Sequence, residues 1–184
     1  TGAIDEVWNN NDTYDPSWRV IGGGKPKGLC GSALISLLAE MLITGLINKS
    51  GRFDYSLDTS RVRKGSHGGE YVVCWGDESE SGEDIILTEV DIDNLMRAKA
   101  AIFAGFTVLA DSVGKPVTSV EQVLIGGGFG QYINVEKAVQ IGLLPDMPWE
   151  KFKFLGNTSL KGAYLALLNR ENKDIITEIA NKMT

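Results

Sequence analysis

The sequence predicts an α/β fold whose second half is built from parallel β/α layers. Three observations carry this. From about residue 89 onward the pattern reads helix, strand, helix, strand, helix, the alternation that produces parallel sheets. Two of those strands end in glycine turns, one at residues 126–130 and one at Gly156-Asn157. The chain has 184 residues, 43% of them hydrophobic and 23% charged, enough for one compact domain with its own core or for two small lobes.

In order along the chain, residues 1–8 and 18–21 read as short strands, separated by the turn residues Asn9-Asn10-Asn11-Asp12. A glycine loop follows at 22–28, then a helix from about Gly31. Leu34, Leu37, Leu38, Met41 and Leu42 lie at i, i+3, i+4, i+7 and i+8 and give that helix one apolar stripe. Ser32 or Gly31 is expected to cap it. Residues 52–69 read as irregular. Residues 70–75 and 85–87 read as strands of a hairpin whose acidic connection, 77–84, is a solvated loop rather than a metal site.

The longest helix is expected over about 89–113. Thr88 and Asp91 form a capping-box pattern, Ile92, Leu95, Ile102, Phe106 and Leu109 its buried face, and Gly114 and Pro116 its stop. A strand at 120–125 leads into Gly126-Gly127-Gly128-Phe129-Gly130. Asn134 caps a short helix that ends at Gly142. A last strand at 152–155 leads through Gly156-Asn157 to a helix at 160–168, and an amphipathic tail helix covers 173–183. In parallel sheets ligands sit outside the carboxyl ends of the strands. Both glycine turns are expected to open at that one edge, which marks it as the candidate site.

Composition narrows the function. A net charge of −6 disfavours nucleic acid and anionic membranes as partners. No apolar run approaches the ~20 residues of a membrane span. Cys30 and Cys74 are expected to be reduced, buried thiols of a cytoplasmic protein, and no metal site is expected from them. His67, the single histidine, reads as an exposed loop residue. The chain opens on Thr1-Gly2-Ala3-Ile4 without Met or a signal peptide, and is expected to be part of a longer protein.

Two nucleotide motifs fail in detail. A dinucleotide GxGxxG begun at Gly126 would need glycine at Gln131. A Walker A loop ending at Gly24-Lys25 would need glycine at Arg19 and a hydroxyl residue at Pro26. Two residues before Ser32 stands Cys30 rather than the first glycine of a nucleophile elbow. What the glycines do provide is backbone without Cβ, against which a ligand can lie, next to helix starts that favour anions.

The ordered set of motifs is more specific than any one of them. It comprises Pro26-Lys27-Gly28-Leu29-Cys30-Gly31-Ser32-Ala33-Leu34-Ile35, Gly51-Arg52-Phe53, the stretch from Leu87-Thr88 to Ala98-Lys99-Ala100-Ala101-Ile102, residues 126–130, Ile141-Gly142-Leu143-Leu144-Pro145, and Gly156-Asn157-Thr158-Ser159-Leu160-Lys161-Gly162-Ala163. Over nearly the whole chain this set resembles the C-terminal region of the reductive activators of corrinoid iron–sulfur protein and of corrinoid methyltransferase proteins. Ala33 stands where that family's pattern has glycine.

The resemblance implies an actin-like ATPase lobe of the acetate and sugar kinase, heat-shock chaperone and actin superfamily, with a ribonuclease H-like mixed sheet and flanking helices. Residues 1–184 would be this C-terminal lobe, incomplete as a fragment, with 52–88 as a hairpin-containing insertion. The whole protein would use ATP with Mg²⁺ to return a corrinoid protein from Co(II) to Co(I), and its iron–sulfur cluster would lie upstream of Thr1. Gly126, Gly127, Gly128, Phe129 and Gly130 would form the adenosine motif, Gly156 and Asn157 would line the same pocket, and Arg97 and Lys99 would border adenine and ribose. No DxGT-like phosphate motif is present, so the chain would supply the adenosine half of the site and would not hydrolyse ATP alone. No residue receives a catalytic role. An open sheet edge makes a homodimer one expected assembly. The alternatives are a lobe of a sugar or acetate kinase, an activator of 2-hydroxyacyl-CoA dehydratase, or a docking module without catalysis.

Overall fold

The computed structural model describes residues 1–66, 68–128 and 130–182. The expectations for His67, Phe129 and Met183 lie outside the described residues. The chain divides into two compact units, Thr1–Val120 with Ile133–Trp149, and Glu121–Tyr132 with Glu150–Thr184.

The first unit is built around strand β1 (Ala3–Asn9). β2 (Pro16–Val20) pairs with it antiparallel, and β3 (Gly28–Leu29) pairs parallel with Ala3 and Ile4. Helix α1 (Gly31–Ile43) packs on β1. The expected single stripe of α1 is too narrow. Ala33, Ile35, Leu37, Leu38, Ala39 and Met41 are all buried, so most of the helix circumference faces protein. The expected cap also differs. Cys30 is the N-cap residue and makes no side-chain cap bond. The Ser32 hydroxyl instead donates to the Asp5 carbonyl at 2.8 Å, tying α1 to β1.

A second sheet has the order β4 (Val62–Gly65), β5 (Gly68–Cys74), β6 (Ile85–Thr88), all antiparallel. β4 falls in the stretch expected to be irregular. Its sequence, Val-Arg-Lys-Gly, has no apolar alternation to reveal it, and the pairing with β5 creates it. In β5, Tyr71, Val72, Val73 and Cys74 are consecutively buried, as befits a central strand covered on both faces.

Arg61 joins this sheet to the turn before β2. Its Nε donates to Asp15 at 2.6 Å, its Nη1 donates to the Val72 carbonyl at 3.0 Å, and its guanidinium lies 5.5 Å from the Trp75 ring centre. The hydrogen bond from Arg61 holds the Asp15 carboxyl below its ordinary range. The Tyr71 hydroxyl donates to the Tyr14 carbonyl at 2.7 Å, and burial raises its pKa. Tyr14 itself adopts a left-handed backbone, with φ 61°, a conformation these contacts must hold against its steric cost.

Helix α2 (Glu89–Ser112) begins with the expected capping box. The Asp91 N–H donates to Thr88 Oγ1 at 3.2 Å, and the Thr88 N–H donates to the Asp91 carboxylate at 3.0 Å. It ends in a Schellman turn. Gly114, at φ 63°, donates to the Asp111 carbonyl at 3.0 Å and Lys115 donates to the Ala110 carbonyl at 3.0 Å. Its expected apolar face is only partly covered. Ile92 is buried, whereas Ile102 and Leu109 are exposed. Among the described residues no helix is long and apolar enough to cross a membrane.

Helix α3 (Val135–Gln140) is capped by Asn134, whose Oδ1 accepts from the Lys137 N–H at 3.2 Å. Lys137 is buried. Its ammonium donates to the Val7 carbonyl at 2.7 Å, pairs with Glu40 at 3.0 Å and sits 5.3 Å from the centre of the Trp8 ring. One cation therefore joins α3, β1 and α1.

The second unit contains β7 (Val123–Gly126) and β8 (Phe152–Gly156), paired parallel, followed by α4 (Thr158–Leu168) and α5 (Arg170–Lys182), which pack on each other.

The Lys137–Glu40 pair generates a stability prediction. Removing one member strands a buried charge, so Lys137→Met should cost about 3 kcal/mol in urea unfolding. The double change Glu40→Met with Lys137→Met leaves no unpaired charge, although the Asn9 N–H and the Val7 carbonyl each lose a partner, and should cost less than the single one.

Candidate functional site

The candidate site is the carboxyl edge of the β7–β8 pair. The register runs Val123↔Phe152, Leu124↔Lys153 and Ile125↔Phe154, then slips to Gly126↔Gly156. Leu155 is thus the extra residue of a bulge, a device that bends a strand and re-aims the residues after it. The slip sets glycine opposite glycine where both strands end. The Gly127 N–H donates to the Gly156 carbonyl at 2.7 Å, and the Gly130 N–H donates to the Gly127 carbonyl at 3.2 Å. The two turns are therefore bonded into one edge, as the sequence predicted.

The glycines divide into two kinds. At Gly126 a Cβ would come within 2.7 Å of Thr158 Oγ1, and at Gly130 within 2.6 Å of Ile125 Cγ2. Those two glycines are required by packing inside the unit. At Gly127, Gly128 and Gly156 a Cβ would meet nothing within 4 Å. Gly127 and Gly156 also have left-handed φ values of 105° and 67°, which favour glycine. Gly128 has neither a crowding neighbour nor a left-handed φ. The three together leave bare backbone facing open space, a cradle that side chains would fill.

Helix α4 starts at this edge. Asn157 caps it, its Oδ1 accepting from the Leu160 N–H at 2.9 Å. The Asn157 side-chain oxygen is thus engaged by the helix. Lys161, one turn into α4, donates its ammonium to the Leu155 carbonyl at 3.3 Å. No sequence motif assigned a role to Lys161, although its i, i+4 spacing from Asn157 places both on one face of α4.

Of the expected site residues, the structure brings together Gly126, Gly127, Gly128, Gly130, Gly156 and Asn157 in the second unit, and Phe129 lies outside the described residues. Arg97 and Lys99 belong to the first unit. Arg97 is exposed on α2. Lys99 donates to the Ile141 carbonyl at the C-terminus of α3, at 2.5 Å, the end of a helix dipole where a cation is favoured.

The thiols do not form a cluster site. Cys30 and Cys74 are both free, and among the described residues no three His, Cys, Asp or Glu side chains converge as metal ligands. The expectation of two buried thiols holds for Cys74 alone. Cys30 is half-buried beside the Ser32 hydroxyl, at 3.1 Å. The two cysteines are fewer than the four thiolates an iron–sulfur cluster takes.

Comparison with known proteins agrees with this architecture. A family model described as the C-terminal domain of RACo, the ASKHA domain, matches residues 1–184. The chain belongs to this family. It is similar to the corrinoid activation enzyme RamQ of Eubacterium limosum, at 34% identity over 97% of this chain and 31% of that protein. It is also similar to a [Co(II) methylated amine-specific corrinoid protein] reductase of Methanosarcina barkeri, at 28% identity over 88% of this chain and 26% of the relative. A solved structure of a reductive activator for corrinoid, iron–sulfur protein superposes with a TM-score of 0.92 at 44% identity, over 99% of this chain and 29% of that one. The chain spans between a quarter and a third of the length of these relatives.

The two thiols should be distinguishable. Burial raises the Cys74 thiol pKa and withholds it from solvent. A neutral alkylating reagent should label Cys30 well before Cys74 in the folded domain, and both at similar rates in denaturant. Peptide mass spectrometry over a labelling time course reads the difference.

Proposed function

We propose that this chain is the adenosine-side part of the ATP site in an ATP-dependent reductive activator, and that the whole protein returns a corrinoid protein from Co(II) to Co(I). Family membership and the activities named for the relatives support the reaction. One observation in the chain itself carries the assignment of the site: Gly127, Gly128 and Gly156 present unobstructed backbone at the carboxyl edge of two parallel strands, the place where such sheets bind ligands.

In this reading Gly127 and Gly128 hold one side of the nucleoside and Gly156 the other. Gly126 and Gly130 keep the loop closed against Thr158 and Ile125. Bound ATP, with Mg²⁺, supplies the free energy that drives an uphill electron transfer. The residues here bind and orient the adenosine end. No DxGT-like phosphate motif stands among them, so the groups that act on the phosphates and the cluster that carries the electron belong to other parts of the whole protein. Its partner is the corrinoid protein. A docking role is the second reading, favoured by Trp149, which is 61% exposed, since exposed tryptophan marks interaction surfaces.

The test is calorimetric titration of ATP and ADP into the full-length protein that carries this domain. The unaltered protein should bind both. Gly127→Val and Gly128→Val place branched side chains in the cradle and should weaken binding at least tenfold, about 1.4 kcal/mol, with the far-ultraviolet circular dichroism unchanged. Unchanged affinity in both folded variants would remove the adenosine assignment and leave the docking reading.

A further inference from the structure

The cradle depends on the β8 bulge. Without the slip in register, Leu155 would stand opposite Gly126, where Gly156 now stands, and a leucine side chain would occupy the edge. A bulge also takes a residue out of regular pairing, and a carbonyl freed from the ladder needs another partner. The Leu155 carbonyl has one, the Lys161 ammonium at 3.3 Å. Lys161 is held in turn by the start of α4, where its own N–H donates to the Asn157 carbonyl at 3.1 Å. A continuous chain of bonds therefore runs from the α4 N-terminus through Lys161 to Leu155, and from the adjoining Gly156 carbonyl to the Gly127 N–H.

We infer that Lys161 is a positioning residue: by holding the bulged Leu155 carbonyl it fixes the turn at Gly156 as the second wall of the nucleoside cradle. This rests on the adenosine reading above. Lys161 acts through the protein backbone, so its contribution does not depend on the charge of the ligand. Its side chain is exposed, so the fold does not require it, and the freed carbonyl can turn to water. Loss of the lysine therefore loosens the cradle without unfolding the unit.

The experiment compares Lys161→Met, which keeps most of the aliphatic stem and removes the donor, with Lys161→Arg, which restores a cationic donor. ADP is titrated calorimetrically into the full-length protein at 50 and 300 mM salt, with Gly127→Val alongside. Lys161→Met should bind ADP about three- to tenfold more weakly, the equivalent of one ordinary hydrogen bond. The factor should be the same at both salt concentrations, the thermal midpoint should barely move, and Lys161→Arg should recover most of the affinity. Unchanged binding by Lys161→Met, with binding lost in Gly127→Val, overturns the positioning role and leaves the adenosine reading intact. Unchanged binding in both overturns the reading itself. A loss that fades at high salt identifies a direct contact with the phosphates and overturns the role assigned here.

Discussion

A single buried ammonium ties α3 to β1 and α1 within the first unit. Lys137 reaches the Val7 carbonyl and the Glu40 carboxylate from a helix of only six residues. The other Glu40 oxygen accepts from the Asn9 N–H at 3.1 Å, so the carboxylate is itself tied to the end of β1. Charges removed from water need such complete partnership. The constraint reaches outward from there. β1 is fixed between β2 and α1, the Ser32 hydroxyl sets the start of α1, and Asn134 both caps α3 and donates to the Glu6 carboxylate at 3.0 Å. A six-residue helix has too little propensity to form alone. Its place in the fold comes from this pair and from the Lys99 bond at its other end.

What could be read from the sequence was what local chemistry determines. The Thr88–Asp91 box, the Gly114 stop, the Asn134 cap and the hairpin of β5 and β6 all derive from residue type and spacing, and all are present. So is the shared edge of the two glycine turns, because parallel layering and strand-end glycines are local signals. The burial of α1 and the exposure of the later turns of α2 depart from the expected faces for one reason. Periodicity shows which residues share a face, and neighbours distant in sequence decide how much of that face is covered. Strand β4 was missed because its only support is its partner. Cys30 as an uncapped N-cap residue was missed because Ser32, the better capping residue by type, is taken by the Asp5 carbonyl.

At the site, the glycines were legible and their division of labour was not. Gly126 and Gly130 look the same in sequence as Gly127 and Gly128. Only the positions of Thr158 and Ile125 separate packing glycines from those that leave space. The bulge at Leu155 is invisible in sequence for a similar reason. It exists in the register between two strands, and nothing in Phe-Leu-Gly announces which residue will be unpaired. The Asn157 side-chain oxygen is taken by the first turn of α4, a local partner that its residue type favours.

The parallel pairing of β7 with β8 also has a kinetic side. Val123 and Phe152 are partners roughly thirty residues apart, so the connecting loop must close before the first rung of that ladder can form. The β5–β6 hairpin and α2 need no such closure. The glycine edge therefore bears a loop-closure cost that the β5–β6 hairpin and α2 do not. Until that closure is made, the apolar segments of β7 and β8 lack each other as partners, and unpaired apolar strands invite aggregation.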